Sequence, residues 1–184
     1  YNKPYNTFNT NVNGTLNLLE IISKYYSDIP MIIITSDKVY KNNNENRSYT
    51  EQDELLGSCP YSTSKAVCEM ISKSYFDINK KLTLRTVRAG NVIGGGDWSK
   101  NRIIPDLIKS YILKKDVIIR SPNSIRPWSY VLDIIYGYLL VGIDSLEKKY
   151  SYDSFNLAPI KKSDTTVLEL SKRFIKKFGT KNLV

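Results

Sequence analysis

Met31-Ile32-Ile33-Ile34-Thr35-Ser36-Asp37-Lys38 is the stretch on which the fold turns. Four consecutive apolar residues, mostly β-branched, entered through Pro30, predict a strand buried on both faces, as in a parallel sheet. The polar Thr-Ser-Asp-Lys that follows marks the strand's carboxyl end. Upstream, Phe8, Val12, Leu16, Leu19 and Ile22 fall on one stripe of a helix over Thr7 to Tyr26. Downstream, Lys41 to Gly57 is rich in Asn and Glu and reads as a surface loop over that strand end. Pro60 opens a second helix, Tyr61 to Phe76, and Leu82 to Val87 is a second strand. Helix, strand, loop, helix, strand is the rhythm of an α/β chain with a doubly wound parallel sheet, in which ligands bind beyond the carboxyl ends of the strands.

The remainder is read more coarsely. Ile104 to Leu113 is a helix, Val117 to Arg120 a short strand, and Ser121 to Trp128 a loop shaped by Pro122 and Pro127 around Ile125-Arg126. Val131 to Leu146 is a helix with a strongly apolar face. Phe155 to Pro159 is a strand, and Thr165 to Phe178 a closing helix capped by Ser163 or Asp164. No internal repeat or low-complexity tract interrupts the pattern.

The 184 residues, 21.1 kDa, carry 27 Lys and Arg against 18 Asp and Glu, a net charge of +9, and no His. A surplus of that size suits nucleic acid, a membrane surface or an anionic metabolite. The lysines are dispersed, with pairs such as Lys80-Lys81 and Lys148-Lys149 at element ends, so they read as solvated surface. A phosphate-bearing small ligand fits better than a nucleic-acid groove. Cys59 and Cys68 have neither metal-ligand spacing nor a disulfide framework, which points to a reducing compartment and leaves no metal site. No apolar run approaches the roughly 20 residues of a membrane span, and a soluble cytoplasmic protein is the expectation.

Tyr61 and Lys65 lie four apart on the second helix and so share one face. An ammonium there stabilises a phenolate, whose unperturbed pKa is about 10, and brings it within reach of neutral pH. The result is a hydroxyl-oxidising base in a chain without histidine. Tyr-x-x-x-Lys alone is also what an accidental surface pair looks like, since Tyr occurs 14 times. Its place after a buried strand ending in Thr-Ser-Asp-Lys is what gives it meaning. Asp37 reads either as a turn cap or, desolvated beside a sugar, as a general acid. Lys38 reads either as a solvent-facing charge or as a base, which requires it to be neutral. Gly94-Gly95-Gly96 has neither the G-x-G-x-x-G spacing nor the place of a dinucleotide fingerprint and reads as a tight turn between domains. Arg102 and Arg126 are surface charges or, in the case of Arg126 within its proline-framed loop, a guanidinium fixed to grip a diphosphate.

The segments Thr10-Asn11-Val12-Asn13-Gly14-Thr15-Leu16-Asn17-Leu18-Leu19-Glu20, Thr35-Ser36-Asp37-Lys38-Val39-Tyr40, Pro60-Tyr61-Ser62-Thr63-Ser64-Lys65, Val87-Arg88-Ala89-Gly90-Asn91-Val92-Ile93-Gly94-Gly95-Gly96-Asp97-Trp98 and Ser124-Ile125-Arg126-Pro127-Trp128 resemble, in order and spacing, the extended short-chain dehydrogenase/reductase (NAD-dependent epimerase/dehydratase) family. Within it the likeness is to members that dehydrate CDP-glucose. The resemblance covers nearly the whole chain and implies a Rossmann-like sheet with a small substrate-binding domain. Residues 1–98 would be the C-terminal portion of the NAD-binding domain and 99–184 part of the substrate-binding region, with 131–147 packing back on the former.

What the resemblance implies about roles is specific. Tyr61 removes the proton of the sugar 4-hydroxyl, and Lys65 holds the nicotinamide ribose of NAD and lowers the Tyr61 pKa. Ser36 hydrogen-bonds the sugar, Asp37 protonates the departing 6-hydroxyl, and Lys38 takes the C5 proton where members acting on dTDP-glucose carry Glu. Asn91, Arg102 and Arg126 contact the sugar nucleotide. The reaction implied is a redox-neutral 4,6-dehydration of CDP-glucose to CDP-4-keto-6-deoxyglucose by a homodimer. The alternatives are a sugar-nucleotide epimerase, dehydration of dTDP-glucose, or, in another class, a non-catalytic nucleotide-sugar binding module. No strand with a glycine-rich, phosphate-cradling turn is found in the chain, which looks cut at both ends and as such a fragment is expected to be inactive.

Overall fold

A computed structural model describes residues 3–43, 47–159 and 165–179. In chain order the elements are helix α1 (Pro4–Phe8), a π-helical turn (Asn9–Asn13), α2 (Gly14–Tyr25), strand β1 (Met31–Ile34), a 3₁₀ turn (Asp37–Val39), α3 (Pro60–Ile78), β2 (Leu84–Ala89), β3 (Asn91–Ile93), α4 (Ile103–Leu113), β4 (Trp128–Tyr130), α5 (Val131–Glu147), β5 (Tyr152–Leu157) and α6 (Val167–Phe178). They divide into two compact units, Tyr1–Gly90 with Asp133–Leu157, and Asn91–Leu132 with Ala158–Val184.

In the first unit β1, β2 and β5 form a parallel sheet in the order β1-β2-β5, with Ile33 beside Thr86 and Arg88 beside Asn156. Successive side chains of a strand point to opposite faces, and the two faces are covered by different helices. Ile33 packs with Leu19, Cys68, Leu82 and Leu84 in a core that α2 and α3 close. On the other face Ile32 lies 3.8 Å from the Cβ position of Gly142 in α5, and a Cβ at Gly137 would stand 2.8 Å from Leu157 Cδ1. Gly137 therefore lets α5 lie close against β5. Helices on both faces of a parallel sheet are the doubly wound arrangement expected from the sequence.

Several elements differ from expectation for physical reasons. The helix expected over Thr7 to Tyr26 is formed, from Pro4 to Tyr25, but with the π-helical turn Asn9–Asn13 inside it. Asn11 O accepts from Thr15 Oγ1 at 2.7 Å and from Cys68 Sγ at 3.3 Å, and side-chain donors at a helix carbonyl widen its turn. The expected stripe is nonetheless the packed one, with Leu19 fully buried. β1 is not buried on both faces throughout: Ile34 is 40% exposed, and among the described residues β1 has one neighbouring strand. β2 lies two residues later than Leu82 to Val87 and is buried along its whole length, although it contains Arg85 and Arg88. Arg85 donates to Leu84 O, Ser151 O, Ser151 Oγ and Lys148 O at 2.8–3.1 Å, so it ties the α5–β5 turn to the sheet. β5 starts at Tyr152 rather than Phe155.

In the second unit β3 and β4, neither expected as a strand, pair in parallel with Asn91 beside Trp128. No strand is formed over Val117 to Arg120 among the described residues, although Val117 is buried. α6 starts at Val167, and its cap is Thr166, whose Oγ1 accepts from Glu169 N at 3.1 Å while Glu169 Oε2 accepts from Thr166 N at 3.1 Å. That reciprocal pair is a capping box; Ser163 and Asp164 lie outside the described residues. Gly94 to Gly96 holds a turn, but it lies inside this unit rather than between domains: Gly96 has φ of +82°, and a Cβ on Gly94 would meet Val131 Cγ1 at 2.8 Å.

Candidate active site

Ser36 is extended (φ −158°, ψ 152°) at the end of β1, and its Oγ accepts from Lys38 N at 3.3 Å, which closes the 3₁₀ turn Asp37–Val39. Ser36 Oγ also donates to Asp37 Oδ1 at 3.1 Å. Ser36 is buried, Asp37 half-buried and Lys38 exposed. The expected surface loop then begins with Tyr40 bridged to Leu55. Its polar middle is braced by Arg47, whose guanidinium donates twice to Asp53 at 2.7 and 2.8 Å.

α3 starts where Gly57 permits it. A Cβ at Gly57 would stand 2.2 Å from Thr63 N, and Thr63 Oγ1 donates to Gly57 O at 3.0 Å. Cys59 N–H donates to Ser62 Oγ at 3.0 Å, so a side chain satisfies one donor left over at the helix start. Tyr61 and Lys65 occupy the first two turns of this helix. Lys65 Nζ donates to Ile34 O at 3.0 Å, one residue before Thr35 and two before Ser36. The two motifs singled out in the sequence therefore meet: the Tyr-x-x-x-Lys face adjoins the carboxyl end of β1 that bears Ser36, Asp37 and Lys38.

Tyr138 of α5 was not anticipated. Burial, and after it the proximity of Tyr61, push its hydroxyl above the usual tyrosine value. An apolar helix face gave no signal of a tyrosine in that position. Beneath the turn, Glu69 and Arg88 form a buried ion pair that joins Thr35 to Tyr40. Arg88 lies one residue beyond the strand expected over Leu82 to Val87 and is inside β2.

Asn91, Arg102 and Arg126 all belong to the second unit. Asn91 begins β3 beside Trp128, two residues beyond Arg126, which is exposed. The loop bearing Arg126 is held by the start of α6: Val167 N donates to Ser124 O at 3.0 Å, Leu168 N to Pro122 O at 2.9 Å, and Trp128 Nε1 to Thr165 O at 3.3 Å. Arg102 caps α4 and lies 3.4 Å from Asp97 Oδ2. Ser99 N–H, then the charges of Arg102 and Lys109, hold the Asp97 carboxyl below the usual carboxylate value. Among the described residues no group of His, Cys, Asp and Glu could hold a metal ion, and no helix is long and apolar enough to cross a membrane.

A doubly wound parallel sheet whose Tyr-x-x-x-Lys helix adjoins a Ser-Asp-Lys strand end defines the class. A family model described as the NAD dependent epimerase/dehydratase family matches residues 1–158, and the chain belongs to that family, whose cofactor is NAD. Over 149 residues, 77% of this chain and 42% of the relative, it is 42% identical to CDP-glucose 4,6-dehydratase of Salmonella typhimurium. It is 30% identical over 142 residues, 71% of this chain and 32% of the relative, to dTDP-D-glucose 4,6-dehydratase of Dictyostelium discoideum. A solved structure of dTDP-glucose 4,6-dehydratase from Bacillus anthracis in complex with NAD superposes with a TM-score of 0.85 at 24% identity, covering 96% of this chain and 56% of that one. The chain thus spans about two-fifths of the length of its 42% identical relative and just over half of that solved structure.

Proposed function

We propose that the protein carrying this chain is an NAD-dependent sugar-nucleotide 4,6-dehydratase that converts CDP-glucose to CDP-4-keto-6-deoxyglucose. The observation that carries the reading is the 3.0 Å bond from Lys65 to Ile34 O. It joins the oxidising Tyr–Lys face to a strand end whose Ser-Asp-Lys offers the acid and base that elimination needs. The 42% identity to a CDP-glucose 4,6-dehydratase supports the nucleotide.

The residues available for NAD are Tyr61 and Lys65. Lys65 uses one of its three donors on Ile34 O, and the Tyr61 hydroxyl has no hydrogen bond among the described residues, so both have capacity left for a ribose. NAD, when held there, would supply a reversible hydride acceptor, taking hydrogen from C4 of the sugar for return to C6. Tyr61 takes the proton of the 4-hydroxyl, and the Lys65 ammonium stabilises the charge that develops on its oxygen. The 4-keto group acidifies the C5 proton, which Lys38 removes. Asp37 protonates the departing 6-hydroxyl, and Ser36 hydrogen-bonds the sugar. Asn91, Arg102 and Arg126 hold the diphosphate and nucleotide.

An epimerase shares Tyr61 and Lys65 but has no elimination step to use Asp37 and Lys38. Turnover of CDP-, dTDP- and UDP-glucose by the intact protein tests the assignment. CDP-glucose should give the largest kcat/KM; equal or better use of dTDP-glucose overturns it. We infer further that α2 and α3 form a contact with a second copy, because Leu18, Ile21, Tyr25 and Met70 leave apolar surface exposed on those two helices. Light scattering of the intact protein should give a dimer, and a monomer at working concentration refutes this.

A further inference from the structure

Glu69 and Arg88 are 1% and 4% exposed, and none of the steps above uses them. Arg88 Nε lies 2.9 Å from both Glu69 oxygens, and its Nη2 also donates to Glu69 Oε2. Each partner then reaches one flank of the turn that bears Ser36, Asp37 and Lys38. Glu69 Oε1 accepts from Thr35 Oγ1 at 2.6 Å, immediately before the turn. Arg88 Nη1 donates to Tyr40 Oη at 2.6 Å, immediately after it, and the guanidinium carbon sits 4.9 Å from the Tyr40 ring centroid. Tyr40 Oη in turn donates to Asn156 Oδ1 at 2.6 Å.

The pair is also tied to the loop that covers the turn. Arg88 Nη1 donates to Glu51 O at 3.2 Å, Asn156 N to Glu51 Oε1 at 2.7 Å, and the Tyr40 and Tyr49 rings stack at 4.8 Å. Glu69 lies one helical turn beyond Lys65, whose ammonium holds Ile34 O. α3 thus grips consecutive residues at the end of β1, the Ile34 carbonyl through Lys65 and the Thr35 hydroxyl through Glu69.

Well-packed apolar residues in such a place commonly give equal or greater stability than a buried ion pair. A role in geometry explains the pair better than a role in stability. Burial works to lower the Arg88 pKa, but the hydrogen bonds and charge of Glu69, followed by Tyr40, raise it above the usual arginine value, so Arg88 stays charged at any working pH.

We propose that Glu69 and Arg88 are positioning residues that clamp the Ser36–Val39 turn through Thr35 and Tyr40 and so fix Asp37 and Lys38 for elimination. The catalytic half of this claim rests on the dehydratase reading; the clamp itself does not. The test is the double variant Thr35→Val, Tyr40→Phe in the intact protein, which removes two hydroxyls and leaves the ion pair in place. Amide hydrogen exchange in segment 36–40 should accelerate by at least about tenfold, the size of a single lost hydrogen bond, while β2 stays protected. With CDP-glucose, kcat should fall about 10- to 100-fold with KM within about twofold, because the nucleotide contacts are untouched. Thr35→Ser, which keeps the hydroxyl, should behave as wild type. Unchanged exchange in segment 36–40, equal acceleration in β2, or a raised KM at constant kcat would each overturn the clamp. If the wild-type protein turns over no sugar nucleotide, the dehydratase reading fails and the exchange comparison alone decides the clamp.

Discussion

At the scale of single residues, Lys38 sets the family likeness and the physical chemistry of a side chain against each other. It is exposed on a 3₁₀ turn and its ammonium makes no hydrogen bond among the described residues, whereas a lysine that takes a proton from carbon must work in a closed, largely dry site. In the proposed reaction the bound sugar nucleotide closes that site. Lys38→Met in the intact protein should therefore still oxidise C4, visible as reduced-nicotinamide absorbance. Exchange of the C5 proton with solvent should fall by about 100-fold or more, the range for removing a general base. Wild-type exchange in that variant would show that Lys38 is not the base. The spacing of Tyr61 and Lys65 and the polar end of β1 were legible in the sequence because each is a local pattern. Glu69, Arg88 and Tyr138 were not. Arg88 in a fully buried strand is explained by the carboxylate on α3 that meets it, 19 residues away in sequence.

At the scale of elements, the loop after the turn depends on Asp53. Hydrogen bonds from Arg47, then from the Thr50 N–H, hold its carboxyl well below the usual carboxylate range. A carboxylate pKa lower in the folded than in the unfolded chain adds stability above the unfolded value of about 3.9, and that stability is lost as the pH falls through the folded one. The 47–53 segment should resist limited proteolysis equally at pH 7 and pH 5 and loosen only as the pH drops below about 3.9. Asp53→Asn should loosen it at every pH, and a variant as resistant as wild type contradicts the assignment. Among the elements found correctly from the sequence, α3, α4 and α5 carry an apolar pattern that repeats over several turns, and β1 is an unbroken apolar run of four. β3 and β4 are three residues each, too short for alternation to register, and their parallel pairing joins segments 37 residues apart in sequence. The π turn in the first helix was hidden for another reason: it depends on Cys68 donating to Asn11 O from a different helix.

At the scale of the molecule, the doubly wound arrangement was legible from the order of helices and strands, because a parallel sheet needs crossover helices and those helices need two faces to cover. Membership of the NAD-dependent epimerase/dehydratase family follows from the match over residues 1–158; the reaction does not, since the family holds epimerases and dehydratases alike. The two differ in where the hydrogen from C4 goes. An epimerase returns it to C4 with inverted configuration, whereas a 4,6-dehydratase returns it to C6 after water has left. The most direct test is to supply the intact protein and NAD with CDP-glucose carrying deuterium at C4 and to read the product by NMR. The account predicts CDP-4-keto-6-deoxyglucose with the deuterium in its C6 methyl group; deuterium retained at C4 of an inverted sugar, or recovery of unreacted CDP-glucose, would contradict it.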